Sequence, residues 1–330
     1  MKNDSIFKDK VVLITGGTGF VGQAIINTLL KTEVKTIRVF SRDEVKHFKM
    51  QEKIKDSRLR YLVGDVRDSE RVLQAVRGAD IVIHAAAMKR IDMVEYNITE
   101  GIKTNVLGTM NVVKACMESG IERALLISTD KACMPINSYG ATKLLAERIF
   151  IESNYSKGKC PTVFSAVRYG NVLESTGSII PIFKEKLSKN LPVPLTNREM
   201  TRFLITSQKA VDLIFAALVK SGGGEIFIPK LKSAKITDII DTLATKMGCR
   251  ANIENIGIRP GEKIHEALMN DDECRRAYET DEHFIIPSRI EEYQKGINYP
   301  WKEKAKPTKI TCYSSNDFLM AKKEIGEILE

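Results

Sequence analysis

Val11-Val12-Leu13-Ile14-Thr15 is a continuous apolar run rich in β-branched residues, the pattern of a strand buried on both faces. Similar runs recur at Thr36 to Phe40, Leu59 to Val63, Ile81 to Ala87, Ala124 to Ile127 and Val163 to Val167. Between them apolar residues return every three or four positions, which predicts helices over Gln23 to Leu30, about Thr99 to Ser119, and Leu144 to Ile151. The alternation is sustained through about residue 172 and specifies an α/β fold, a doubly wound parallel sheet.

Beyond that point the regularity breaks. Helices are expected at Gly177 to Lys189, Ser207 to Val219 and Ile236 to Met247, an extended segment at Leu191 to Thr196, and a short strand at Gly224 to Ile228. We divide the chain into a sheet domain, residues 1–172 plus about 201–230, and a smaller C-terminal domain, about 173–200 and 231–330. Pro300 to Lys309 reads as a surface connector, and the last helix, Phe318 to Leu329, as one that packs on a neighbouring subunit.

Composition removes several function classes. The 330 residues are 43% hydrophobic and 28% charged, as in ordinary globular proteins. No run of eighteen apolar residues exists, so no membrane helix is expected. The net charge of +9 comes from lysines and arginines spread along the chain, without a basic run interleaved with aromatics, which argues against nucleic acid. Six scattered cysteines with no C-x-x-C pair read as reduced thiols of a cytoplasmic protein, and no metal site is expected.

The first apolar run is followed by Gly16-Gly17-Thr18-Gly19-Phe20-Val21-Gly22 and a helix. Glycines 16, 19 and 22 permit a tight turn and close backbone approach, and the helix N-terminus faces a pyrophosphate: a dinucleotide site. At the end of the second strand stand Ser41, Arg42 and Asp43. An acid there suits ribose hydroxyls and an arginine a 2′-phosphate, so Arg42, helped by Ser41 and Lys46, favours NADP. Asp65 and Val66 are placed to meet the adenine, and Ala85, Ala86 and Ala87 to let the cofactor backbone pass. Lys89 lies at the carboxyl edge of the sheet. Asn105 steadies an active-site water or backbone, or is a plain polar helix residue. His84 reads as structural. Tyr169, ending the sixth strand, is assigned to the cofactor.

The stretch around which the chain is organised is Ser128-Thr129-Asp130-Lys131 followed by Tyr139-Gly140-Ala141-Thr142-Lys143. Tyr139 and Lys143 are four apart, so one helix face carries a phenol and an ammonium. The ammonium is expected to lower the phenol's pKa from about 10 towards neutrality and make a general base. Asp130 and Lys131 add an acid and a second base, more than simple alcohol oxidation needs.

T-G-G-T-G-x-x-G with Y-x-x-x-K resembles the extended short-chain dehydrogenase/reductase superfamily, which implies a Rossmann sheet. The wider set, S-R-D-E, G-D-V-R-D, H-A-A-A-M-K, K-T-N-V-x-G, S-T-D-K-A, Y-G-A-T-K, R-Y-G-N-V, G-G-E-I-F-I-P-K and G-I-R-P-G-E-K, is similar to the inverting UDP-N-acetylglucosamine 4,6-dehydratases of the pseudaminic acid branch. The resemblance implies a tightly bound NADP, regenerated each cycle, and UDP-N-acetylglucosamine as substrate. Tyr139 would take the C4 hydroxyl proton, Ser128 or Thr129 hydrogen-bond that hydroxyl, and Lys143 hold the cofactor ribose. Lys131, its pKa depressed by burial and nearby cations, would remove C5-H, and protonated Asp130 would donate to the departing O6. Arg259 and Glu262 would bind diphosphate and uridine ribose, Arg202, Asn171, Ser178 and Lys89 lie near the nucleotide sugar, and Pro194 to Thr196 line the uracil. A homo-oligomer, dimer or hexamer, is implied. Where relatives carry an arginine, Glu174-Ser175-Thr176-Gly177-Ser178 has none, which leaves a C5-retaining or ene-releasing dehydratase open. A 4-epimerase or simple oxidoreductase would use Tyr139 and Lys143 but leave Asp130 and Lys131 idle. An NADP-sensing regulator would have no need of the tyrosine.

Overall fold

The computed structural model describes residues 4–173, 175 and 178–329. Glu174, Thr176 and Gly177, the centre of the departure from the family pattern, lie outside them. Six strands form the expected parallel sheet: β1 (Val11–Thr15), β2 (Thr36–Ser41), β3 (Leu59–Val63), β4 (Ile81–His84), β5 (Arg123–Ile127) and β6 (Val163–Val167). Their spatial order is β3-β2-β1-β4-β5-β6, so the winding reverses beside β1 and opens a crevice at the carboxyl ends of β1 and β4.

Among the described residues the sheet continues past β6 to ten strands. Ile226–Pro229 pairs parallel to β6, and His283–Ile286, Tyr278–Glu279 and Lys306–Pro307 follow in antiparallel register. Thr201–Ile205, assigned to the sheet domain from sequence, pairs instead with Asn171–Val172 and Ser233–Lys235 in a separate three-stranded sheet. A second apolar core, including Phe183, Val193, Ile239, Leu243 and Ile325, lies under the helices Ile179–Ser188 and Ile236–Lys246.

Three expectations need correcting. The last helix is Lys322–Ile328, and its buried Ile325 belongs to this second core, so the chain itself covers that face. Pro300 to Lys309 is no free connector: Trp301 is buried, with its indole N–H donating to Glu225 Oε1 at 3.0 Å, and Lys306–Pro307 joins the sheet edge. The helix expected over Thr99 to Ser119 carries a π-helical turn, Ile102–Leu107, between Ile98–Gly101 and Gly108–Ser119. Such a turn re-aims side chains within a helix, and here it contains Asn105.

Candidate active site

The fourth strand ends at His84, three residues earlier than its apolar run, because the Ala86 N–H turns away to Thr15 Oγ1 at 3.2 Å. Ala85 to Ala87 thereby pass over the glycine loop. Gly16 has φ +68°, and a Cβ there would lie 2.8 Å from Ala86 N, so this crossing requires glycine. Thr18 is buried, with its hydroxyl 2.8 Å from Ser41 Oγ, and the helix Phe20–Leu29 begins directly after Gly19. Phe20 and Val21 are its half-buried first residues and Gly22 is buried. The loop is thus a narrow cradle at a helix N-terminus, the form a dinucleotide pyrophosphate requires. His84 is held between Thr15 Oγ1 at 2.6 Å and Thr109 Oγ1 at 3.0 Å, and burial pushes its pKa down to about 3, which leaves it neutral and structural.

At the end of β2, Asp43 turns into its own helix: it accepts from Lys46 N at 3.0 Å and pairs with Lys46 Nζ at 3.2 Å. Arg42 is half exposed and lies 3.6 Å from Asp65 Oδ2. Asp65 is gripped more closely by Arg67, at 2.7 Å, while Val66 is buried. Asn105 serves the backbone: its Oδ1 accepts from Met88 N at 2.8 Å, and its amide donates to Met88 O at 2.9 Å and Thr142 Oγ1 at 3.0 Å. It clamps the turn after β4 to the helix Ser138–Ser156. Lys89 projects just past that turn, where burial lowers its pKa.

That helix starts six residues before its apolar pattern, because Asn137 caps it by accepting from Gly140 N at 2.7 Å. Tyr139 and Lys143 are both buried on the face toward β5. The expected phenolate is not found. Burial pushes the Tyr139 phenol up to about 12, and the cation opposing it is Lys131, helped by the Thr129 hydroxyl. The Lys143 ammonium is committed elsewhere, donating to Ile127 O at 2.8 Å, and burial lowers its pKa to about 8. Tyr169 lies in the same buried pocket; its carbonyl accepts from Asp130 N at 3.0 Å, and burial followed by the neighbouring Tyr139 raises its phenol.

Asp130–Ala132 forms a single 3-10 turn after β5. Asp130 Oδ1 accepts from Thr129 Oγ1 at 2.9 Å and from Lys131 Nζ at 3.0 Å, while Oδ2 is buried without a hydrogen-bond partner, as is Ser128 Oγ. Burial, with the charge of Glu266 added, raises the Asp130 pKa against the pull of Lys131. Lys131 departs from expectation in the opposite sense. Burial does act to lower it, but Asp130 and Glu266 together hold its ammonium well above the usual lysine range. Glu266, whose Oε1 is 3.0 Å from Lys131 Nζ, is the residue sequence reasoning missed. Its only signal was an acid three residues after Lys263, in a loop far from Lys131 along the chain.

The loop carrying Arg259 and Glu262 docks against the start of the helix Ser138–Ser156 through Asn137 Nδ2, which donates to Gly261 O at 2.7 Å. Arg259 is exposed and Glu262 Oε2 is buried without a partner. Ser178 caps no N–H, and its buried hydroxyl finds no partner among the described residues. Asn171 lies in the strand Asn171–Val172; Pro194 lies in Val193–Leu195, and Thr196, just after it, spends its hydroxyl on Met200 Sδ at 3.3 Å. Arg202 does not offer a free fork to phosphate. Its guanidinium donates to Thr201 O at 2.7 Å, Ile264 O at 3.0 Å and Lys263 O at 2.9 Å, and so braces the loop from within.

Residues 12–288 match the family described as Polysaccharide biosynthesis protein. A protein of Methanocaldococcus jannaschii named as an uncharacterized membrane protein is 42% identical, over 99% of this chain and 97% of its own. In the present chain no helix of the described residues is long and apolar enough to cross a membrane. UDP-N-acetylglucosamine 4,6-dehydratase (inverting) of Campylobacter jejuni is 41% identical over 98% of each chain. The crystal structure of Pen from Bacillus thuringiensis shares the fold with a TM-score of 0.91 and 40% identity, covering 98% of both chains. This full-length likeness bears out the resemblance carried by the motifs: the chain belongs to the polysaccharide biosynthesis protein family, beside proteins named as inverting UDP-N-acetylglucosamine 4,6-dehydratases.

Proposed function

We propose that this protein is a cytoplasmic, NADP-dependent hydro-lyase that converts UDP-N-acetylglucosamine to a 4-keto-6-deoxy sugar with inversion at C5. The observation that carries this reading is the Asp130 carboxyl: one oxygen is saturated by Thr129 and Lys131, the other is buried and free, and burial favours its protonated form. A plain oxidoreductase or 4-epimerase has no use for such an acid. Dehydration does, because O6 must leave as water.

The glycine cradle from Gly16 to Gly22 fits a dinucleotide, and Arg42, Ser41 and Lys46 suit a 2′-phosphate, since Asp43 is already spent as a helix cap. A bound nicotinamide would supply a hydride acceptor in its oxidised form and, once reduced, the hydride donor that completes the cycle. Ser128 Oγ and Tyr139 would then address the C4 hydroxyl, and Tyr139, once it has given up its own phenol proton, would withdraw that of the hydroxyl. The 4-ketone acidifies C5-H, which Lys131 removes as neutral amine, while Asp130 Oδ2 protonates O6. Arg259, Glu262 and Ser178 are assigned to the UDP and sugar, with Glu262 Oε2 and Ser178 Oγ as the unpaired buried acceptors. Large apolar residues left exposed on the helices, Tyr96, Ile102, Leu107, Met110 and Leu145, fit a homo-oligomer.

Proton NMR with UDP-N-acetylglucosamine in heavy water tests the assignment. A new C6 methyl signal with a deuterated, inverted C5 is expected. The methyl with retained C5 removes the inversion; no methyl with NADP+ present removes the dehydratase.

A further inference from the structure

Two buried carboxylates share one buried ammonium. Lys131 Nζ is 3.0 Å from Asp130 Oδ1 and 3.0 Å from Glu266 Oε1, and the side chains of Asp130 and Glu266 are 1% and 2% exposed. Two carboxylates this close to one another out of water disfavour double ionisation, so a proton on one of them is favoured. The surroundings decide which. Facing Glu266 are Lys131, Arg202 and Lys263, the last with its Nζ 3.7 Å from Glu266 Oε2. The charges that act most on Asp130 are Lys131 and Glu266 itself. Lys131 meets Asp130, Glu266, Arg202 and the Tyr139 phenol. Burial and the neighbouring Glu266 thus favour the proton on Asp130, while the cations around Glu266 favour its ionised form beside the Lys131 ammonium. Glu266 is fixed from behind: its N–H donates to Ser315 Oγ at 2.9 Å, and Ala267–Met269 pairs with Tyr313–Ser314.

We infer that Glu266 is the proton partner of Lys131: it is the anion that holds the lysine, and the carboxylate that receives its proton when Lys131 acts on the substrate. This deepens the dehydratase reading and rests on it. The ammonium proton moves along the 3.0 Å bond to Glu266 Oε1, turning an ion pair into a neutral amine and a neutral acid. That exchange keeps net charge constant, so it avoids isolating a charge in a low-dielectric site. The freed lone pair, turned by rotation about Cε–Nζ, takes the C5 proton. The C5–H electron pair becomes the C5–C6 double bond as the C6–O6 bond breaks, and O6 leaves as water with the Asp130 proton. Lys131 ends as ammonium, Asp130 as carboxylate and Glu266 as acid. Glu266 touches no reacting atom and is a positioning and relay residue.

The test uses Glu266→Gln, which keeps a hydrogen-bond acceptor for Lys131 but neither charge nor proton site, and Glu266→Asp, which keeps both at longer reach. The first readout needs no substrate: titration of 13Cε-labelled lysine by NMR, with the Lys131 signal assigned by Lys131→Arg. In the parent protein that signal stays ammonium beyond the usual 10.5; in E266Q its midpoint falls by at least about one pH unit, a tenfold change in amine fraction. The second readout separates half-reactions on UDP-N-acetylglucosamine. C5-H exchange with deuterium falls about 100-fold or more in E266Q even though the amine fraction rises, because the buried ammonium proton has lost its acceptor. Absorbance of the reduced cofactor, reporting C4 oxidation, falls less than tenfold. E266D loses only about tenfold in exchange, and serves if E266Q does not fold. An unmoved Lys131 titration, or parallel loss of both half-reactions in E266D, overturns the inference. If the parent protein leaves UDP-N-acetylglucosamine unchanged, the dehydratase reading fails, while the titration still decides whether Glu266 sets the charge of Lys131.

Discussion

A Cβ placed at Gly140 would lie 2.2 Å from the carbonyl oxygen of Lys131. The helix Ser138–Ser156 therefore packs backbone to backbone on the turn that presents Asp130 and Lys131. An exposed mid-helix Gly→Ala gains up to about 1 kcal/mol from propensity, but this clash is with main chain that cannot swing aside. The clash wins. Gly140→Ala is expected to displace the Asp130–Ala132 turn and lower kcat about 100-fold or more, with cofactor affinity within a few-fold of the parent. Steady-state kinetics beside NADP+ titration by tryptophan fluorescence measures both, and unchanged kcat would refute the packing argument.

Arg168 anchors the same helix to the C-terminal part of the chain. It is fully buried, pairing with Glu147 Oε2 at 2.7 Å and Glu273 Oε1 at 2.9 Å. Removing one member of such a network leaves an uncompensated buried charge, so Arg168→Met is expected to cost about 3–5 kcal/mol, read as a lower urea midpoint. The network also sets an acid limit. Against the effect of burial, Arg168 holds Glu273 down at about 2 from its ordinary 4.5. Its folded-state pKa is the lower one, so its stabilisation is complete above about 4.5 and is lost as pH falls from there through about 2. Urea unfolding at pH 3 against pH 6 should show a smaller loss in Glu273→Gln than in the parent protein.

The parallel sheet was legible because its strands are continuous apolar runs and its glycine turn needs φ > 0, both local properties of the chain. Helix ends were less so: Asn137 extends the helix Ser138–Ser156 by a cap, and Asn105 sits in a π turn that leaves no periodicity signature distinct from a helix. The electrostatics were least legible. The i, i+4 spacing of Tyr139 and Lys143 was correct, yet Lys143 bonds the Ile127 carbonyl, and the cation that acts on the phenol is Lys131 from the preceding turn. Glu266 reaches Lys131 only through the return of a distant strand, Ala267–Met269, which no local pattern foretells.

Arg42 is the residue on which cofactor choice should turn. Its partner Asp65 is held more closely by Arg67, at 2.7 Å against 3.6 Å, so the guanidinium is free to leave it for a doubly charged phosphate. A charge-assisted contact of about 1.5–3 kcal/mol corresponds to roughly 10–100-fold in affinity. Arg42→Ala should therefore weaken NADP+ by that factor and leave NAD+ within about threefold, measured by isothermal titration. Equal weakening of both would move the 2′-phosphate site elsewhere.

Asp130→Asn separates oxidation from elimination. Asparagine is isosteric, so Thr129 and Lys131 still find an oxygen acceptor at the Oδ1 position, now 2.9 and 3.0 Å away. What is lost is the proton donor proposed at the second oxygen, which is buried and unpaired. An amide cannot protonate a departing hydroxide, and general acid catalysis is typically worth about 10²–10⁴-fold. Turnover to the 6-deoxy product should fall by that factor, while C4 oxidation persists because Tyr139 and Ser128 are untouched. Rapid mixing with UDP-N-acetylglucosamine would then show the 340 nm absorbance of reduced cofactor accumulating to near one equivalent per site, where the parent protein is expected to keep it low by returning the hydride to C6. If the absorbance stays low and product still forms at the parent rate, the proton for O6 comes from another group, and the buried free oxygen of Asp130 loses its assigned task.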